Sequence, residues 1–178
     1  GSPLSIQMRA PLGEQIVSPF SSLVSAVLES GAAQSLEEAA ERVARMLGLS
    51  FNGEDAVSVL RLDLEGNLDS GDEASRTLVS RMAWLYSLVA QGAQLVAGLV
   101  GESSFVVSRE LFLFLAQRDA RIYLDCAVVE ELLQMTTARF DVGVQSEVLA
   151  FSLQIICQHL DRIAAAATVV DSELSLGE

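Results

Sequence analysis

Residues 72–100 read DEASRTLVSRMAWLYSLVAQGAQLVAGLV. Within this stretch Leu78, Met82, Leu85, Val89, Gly92, Val96 and Leu99 recur at alternating steps of four and three, the period of a bundle or coiled-coil seam. The spacing predicts a long core helix. Ala83, Ala90, Ala93 and Ala97 put small residues on the adjoining faces, where neighbouring helices can approach closely, so this helix is expected to be surrounded on several sides. Residues 82–101 also lack any formal charge, and about twenty such residues suffice to cross a bilayer. Ser87, Gln91, Gln94 and the glycines, together with the bundle period, favour a buried helix of a soluble protein and no membrane span.

Toward the N-terminus, Ser18 followed by Pro19 has the form of an N-cap with proline in the first helical position. Phe20, Leu23, Val24, Val27 and Leu28 then follow at helical spacing as far as Gly31. A second helix opens with Ser35 and Glu38 as a capping box, carries Leu36, Ala39, Ala40, Val43, Met46 and Leu47 on one face, and stops at Gly48. Residues 18–48 therefore read as a helical hairpin. Residues 1–17 lack helical period and contain Pro3, Pro11 and Gly13, which predicts an extended lead-in segment. Gly1, Ser2 and Pro3 look like a tag-cleavage remnant. Residues 49–71 are less regular, with a short helix expected near Glu54–Leu60 before the Gly-, Asn- and Asp-bearing stretch Leu62–Gly71.

On the C-terminal side, the Leu-Phe-Leu-Phe-Leu run at 111–115 could be a strand by residue type, but Ser108 and Glu110 resemble a helix start, and helix is the reading taken. Leu115, Ile122, Cys126, Val129 and Leu133 keep helical spacing up to Phe140, with Arg121 and Asp125 placed for an exposed pair four residues apart. Gly143 breaks the chain. A final helix is expected over about Val144–Thr168, where Val148, Phe151 and Ile155, with Leu149, Ile156, Leu160 and Ile163, form a broad apolar face. The tail 171–178 is expected to fray. Two short helices followed by three long ones make an all-α bundle, one helical domain over 18–170 with a three-long-helix core at 72–170.

With 51% hydrophobic residues the chain can bury a core. Its formal charge of −13, from 24 acidic against 11 basic residues, repels nucleic-acid phosphates and anionic lipid surfaces, which sets those partners aside. All the basic residues are arginine, so Schiff-base chemistry, pyridoxal phosphate attachment and a P-loop lysine are excluded. Cys126 and Cys157 both lie in apolar helical stretches; free buried thiols are the default reading and one interhelical bridge the alternative.

The candidate chemistry is sparse. Asp63, Glu65, Asn67 and Asp69, followed by Asp72 and Glu73, gather the oxygen ligands that a calcium ion needs. The EF-hand pattern fails there, because its turn glycine falls at Leu68 and its closing glutamate at Ala74, and the ordinary reading is a solvated acidic loop with helix caps. His159 is the only histidine; it shares no zinc-ligand spacing with Cys157, and a catalytic pair with Cys126 would require helix packing to bring the two together. The groups Glu37, Glu38, Glu41 and Glu130, Glu131 read as solvated helix faces. Neither H-E-x-x-H, G-x-S-x-G, a Gly-rich phosphate loop nor C-x-x-C occurs. No cofactor is expected.

Ala10, Pro11, Gly13, Ile16, Val17, Ser18, Pro19, Ser21, Ser22, Leu23 and Val24, then Ser35, Leu36, Glu38, Ala39, Val43, Ala44, Leu47, Gly48 and Leu49, resemble a helical module of large bacterial secreted or cell-surface proteins. These include surface lipoproteins and giant proteins with hemolysin-type calcium-binding repeats. The likeness covers about residues 10–100, while the two cysteines and the lack of an Asp-Pro pair near residue 63 depart from the module's usual pattern. It implies no catalytic residues. The expected role is a non-enzymatic structural or protein-interaction module of a larger exported protein, extracellular or at the cell surface, partnered by neighbouring domains or another protein. The alternative is a small intracellular acidic bundle that acts as a regulatory or chaperone-like binding protein through an apolar groove with an acidic rim.

Overall fold

The computed structural model describes residues 6–51, 53–62, 73–141 and 146–175. Seven helices lie among the described residues: α1 (Pro19–Glu29), α2 (Leu36–Met46), α3 (Gly53–Val59), α4 (Glu73–Val100), α5 (Ser104–Ala116), α6 (Cys126–Arg139) and α7 (Ser146–Ser175). No strand occurs among them, and the molecule is an all-α helical bundle.

The two N-terminal helices follow the local signals closely. Ser18 caps α1, and Ser21 completes the box: the Ser21 N–H donates to Ser18 Oγ at 3.1 Å while the Ser18 N–H donates to Ser21 Oγ at 2.8 Å. A serine thus fills the place usually taken by glutamate or glutamine. At α2 the expected box is only half formed, since the Glu38 N–H donates to Ser35 Oγ but the Glu38 carboxylate accepts from the N–H of Gln34 rather than that of Ser35. Both helices end in a Schellman turn, at Gly31 and at Gly48. In the second, the Leu49 N–H reaches the Ala44 carbonyl and the Gly48 N–H the Arg45 carbonyl. Gly48 sits at φ +71°, where a side chain is strained, and a Cβ there would also meet Arg121 Nε at 3.2 Å.

Helix α4 is the central post. Six of the seven seam residues, Leu78, Met82, Leu85, Val89, Gly92 and Val96, are buried, joined by Trp84 and Leu88. Leu99 is half-buried and Ala83 is exposed, so the seam opens toward the helix's last turn and one small-residue position faces solvent. Helices α1, α5, α6 and α7 all pack against it. At the crossing with α5 and α6, a Cβ on Gly92 would meet Leu133 Cδ2 at 3.0 Å and Leu111 Cδ1 at 3.3 Å, so hydrogen at this position lets two leucines touch the helix backbone. By length and a mean hydropathy of 1.3, α4 could cross a membrane, yet half of its most apolar window is buried inside the protein.

Beyond α4 the structure corrects the expected layout. The middle long helix is two, α5 and α6, separated by residues 117–125. The corner carries neither glycine nor proline; tertiary contacts make it. The Arg42 guanidinium on α2 donates to the Ala116 carbonyl at 3.3 Å and to the Arg118 carbonyl at 2.6 Å, satisfying the end of α5. The Met46 carbonyl accepts from the N–H groups of Ile122 and Tyr123 at 2.8 and 3.3 Å, which ties the corner to the end of α2. Asp125 is therefore not the helical partner of Arg121. It is the N-cap of α6, accepting from the Ala127 and Val128 N–H groups. Helix α5 itself is helical as read, but it starts at Ser104 with Ser103 as cap, a turn earlier than Ser108 suggests.

Residues 6–17 are extended as expected but fastened to the body. The Gln7 N–H donates to Ser108 Oγ and the Arg9 N–H to Ser22 Oγ, both at 2.8 Å, while Ser21 Oγ donates to the Arg9 carbonyl at 2.7 Å. Arg61 on the α3 side grips the Glu14 carboxylate with two donors at 3.1 and 3.2 Å.

Candidate functional site

The calcium candidates Asp63, Glu65, Asn67 and Asp69 lie outside the described residues. Among the described residues no three His, Cys, Asp or Glu side chains gather as metal ligands.

Cys126 and Cys157 form a disulfide with their Cα atoms 6.0 Å apart, joining the start of α6 to the middle of α7. The interhelical bridge, rather than a pair of free thiols, is what the packing brings about. Bridging consumes the Cys126 thiol, so it cannot act as a nucleophile with His159, whose side chain is exposed on α7. Cys126 and Cys157 are each half-buried.

The broad apolar face expected on the last helix divides in two. Leu153, Ile156 and Leu160 are buried, with Leu149 and Ile163 half-buried beside them. Val148, Phe151 and Ile155 are exposed at 45, 67 and 52%. At about 100° per residue the two sets are centred about 130° apart around the helix. Helix α7 packs chiefly on α4 and meets α6 more sparingly, so a groove opens between α6 and α7. The groove has a volume of about 310 Å³ and is lined by Glu130, Gln134, Glu147, Leu149, Ala150 and Leu153. Its position follows from the bridge, since Glu130 lies one turn after Cys126 and Leu153 one turn before Cys157. Glu130 is exposed, as its helix position predicts; what packing adds is a groove that it shares with Glu147, Leu149 and Leu153 of the facing helix.

A second cluster gathers around Tyr123 in the corner. The Arg81 guanidinium stacks on its ring at 3.4 Å from the centroid, Trp84 meets it edge-on at 5.2 Å, and Arg121 lies 5.6 Å away. Tyr123 and Trp84 are both buried, so the stack joins the α5–α6 corner to α4. Between α1 and α5, the Glu29 carboxylate bridges Arg9 and Arg109 at 3.1 and 3.2 Å beside a void of about 20 Å³, room for one water. Both arrangements hold elements together.

No family model matches the chain, and neither the curated proteins nor the solved structures include a match to it.

Proposed function

We propose that this chain is a non-enzymatic helical module of a larger exported bacterial surface protein, which positions neighbouring domains or binds a protein partner. The observation that carries the reading is the Cys126–Cys157 disulfide. Bridges of this kind form and persist in oxidising compartments and are rare in the reducing cytosol. The N-terminal likeness to secreted and surface proteins points the same way, as does a charge of −13 that keeps the chain off anionic lipid and nucleic acid. The side chains that offered chemistry have other roles: both thiols are in the bridge, and Glu37, Glu38, Glu130 and Glu131 are exposed on helix faces. The apolar length of α4 is read as a core helix of the bundle rather than a membrane span.

The groove between α6 and α7, with carboxylates at its edge, also suits the alternative of a small intracellular binding protein. The compartment separates the two. Source cells are fractionated, free thiols are blocked with a mass-tagged maleimide, and the chain is detected with a domain-specific antibody. A very large surface or secreted band that takes no tag at Cys126 or Cys157 is expected. A cytosolic band near 19 kDa carrying two tags would overturn the exported reading.

A further inference from the structure

The groove between α6 and α7 has a sided chemistry: Leu149, Ala150 and Leu153 supply apolar surface, and Glu130 and Glu147 supply carboxylates from facing helices. Among the described residues no arginine forms an ion pair with either of them. Glu130 accepts only the Gln134 side-chain amide, at 3.2 Å, and Glu147 has no ion pair among the described residues. The arginines nearest along the chain are engaged elsewhere: Arg139 pairs with Glu110, Arg118 with Glu131, and Arg121 lies 5.6 Å from the centroid of the Tyr123 ring. An apolar strip rimmed by carboxylates without an ion pair among the described residues is complementary to a helix or extended segment that presents leucine-like side chains flanked by arginine or lysine. A second copy is a poor occupant, because it would bring the same acidic rim and another −13 charges.

We infer that this groove is a docking site for a cationic amphipathic segment of another protein. The inference deepens the interaction-module reading and rests on it for the existence of a partner. The bridge lies at one end of the groove and fixes how far apart α6 and α7 stand, so occupancy depends on the oxidised protein.

The test is fluorescence anisotropy of the bridged full chain with a labelled synthetic peptide carrying leucine and arginine at helical spacing, beside a scrambled peptide of the same composition. Ala150→Trp fills the groove at an exposed position, and the double variant Glu130→Gln, Glu147→Gln removes the rim charge. The control Glu37→Gln, Glu54→Gln removes the same charge from exposed positions on α2 and α3. Each groove variant is expected to weaken binding about tenfold and the control less than about threefold, with the scrambled peptide about tenfold weaker than the patterned one. Equal weakening by the control, an unchanged affinity in Ala150→Trp, or a groove filled by self-association in light scattering overturns the inference. Thermal melting of each variant establishes that it is folded. Since the assay uses purified bridged protein, its failure leaves the cellular address untouched, and a cytosolic address leaves the binding result untouched.

Discussion

Removing the bridge should destabilise the protein by an amount that the chain length between the cysteines sets. Cys126 and Cys157 are 31 residues apart, and closing a loop of that size in the unfolded chain removes entropy equivalent to about 3–4 kcal/mol at room temperature. The double variant Cys126→Ser, Cys157→Ser should lose about this much, and for a chain of this size Tm should fall by roughly 7–15 °C. The variant keeps every other contact of α7 with α4, including buried Leu153, Ile156 and Leu160, so far-UV circular dichroism in water should be nearly unchanged. Because the cross-link acts on the unfolded ensemble, its removal should also raise the urea m-value, as a less constrained chain exposes more surface. The assay is equilibrium urea denaturation of the variant and of the wild type, the latter with and without reductant. A loss below about 1 kcal/mol, with an unchanged m-value, would refute the reasoning. It would mean that α6 and α7 are held by packing alone.

Three further outcomes follow from local geometry. Gly48→Ala forces a side chain into a left-handed backbone beside Arg121 and should cost about 1–3 kcal/mol by urea denaturation. Arg42→Ala orphans the Ala116 and Arg118 carbonyls and should cost about 2–3 kcal/mol, while Arg42→Lys, with a single ammonium in place of the planar fork, should recover only part of it. Gly92→Leu should destabilise by about 1–3 kcal/mol despite a helix-propensity gain of about 1 kcal/mol, because Leu133 and Leu111 already fill the space; Tm measures the net effect.

What the sequence made legible was local. Ser18-Pro19, Gly31 and Gly48 act within a turn of their own position, and the seam on α4 needs only its own period to declare a buried face. The corner at 117–125 was not legible, because its causes, the Arg42 guanidinium and the Met46 carbonyl, lie more than seventy residues upstream. Asp125 shows the ambiguity plainly, since an aspartate four residues after an arginine can be a helical ion pair or a cap, and only the ended helix decides. The site divides the same way. Glu130 could be placed on an exposed face by periodicity, but that it lines one groove with Glu147 depends on how α6 and α7 lie together. The bridge was open between two readings for the same reason, as neither cysteine carries any local signal of the other.

The fastening of residues 6–17 has a mechanical consequence. Tension on the chain ahead of Gln7 meets the hydrogen bonds that the Gln7 and Arg9 N–H groups donate to Ser108 Oγ and Ser22 Oγ before it reaches the cap of α1. The first of these joins positions 101 residues apart, so the pull is shared between α1 and α5 instead of peeling one helix end from its neighbour. Under load the segment is a tether riveted at two points, one on each of two helices.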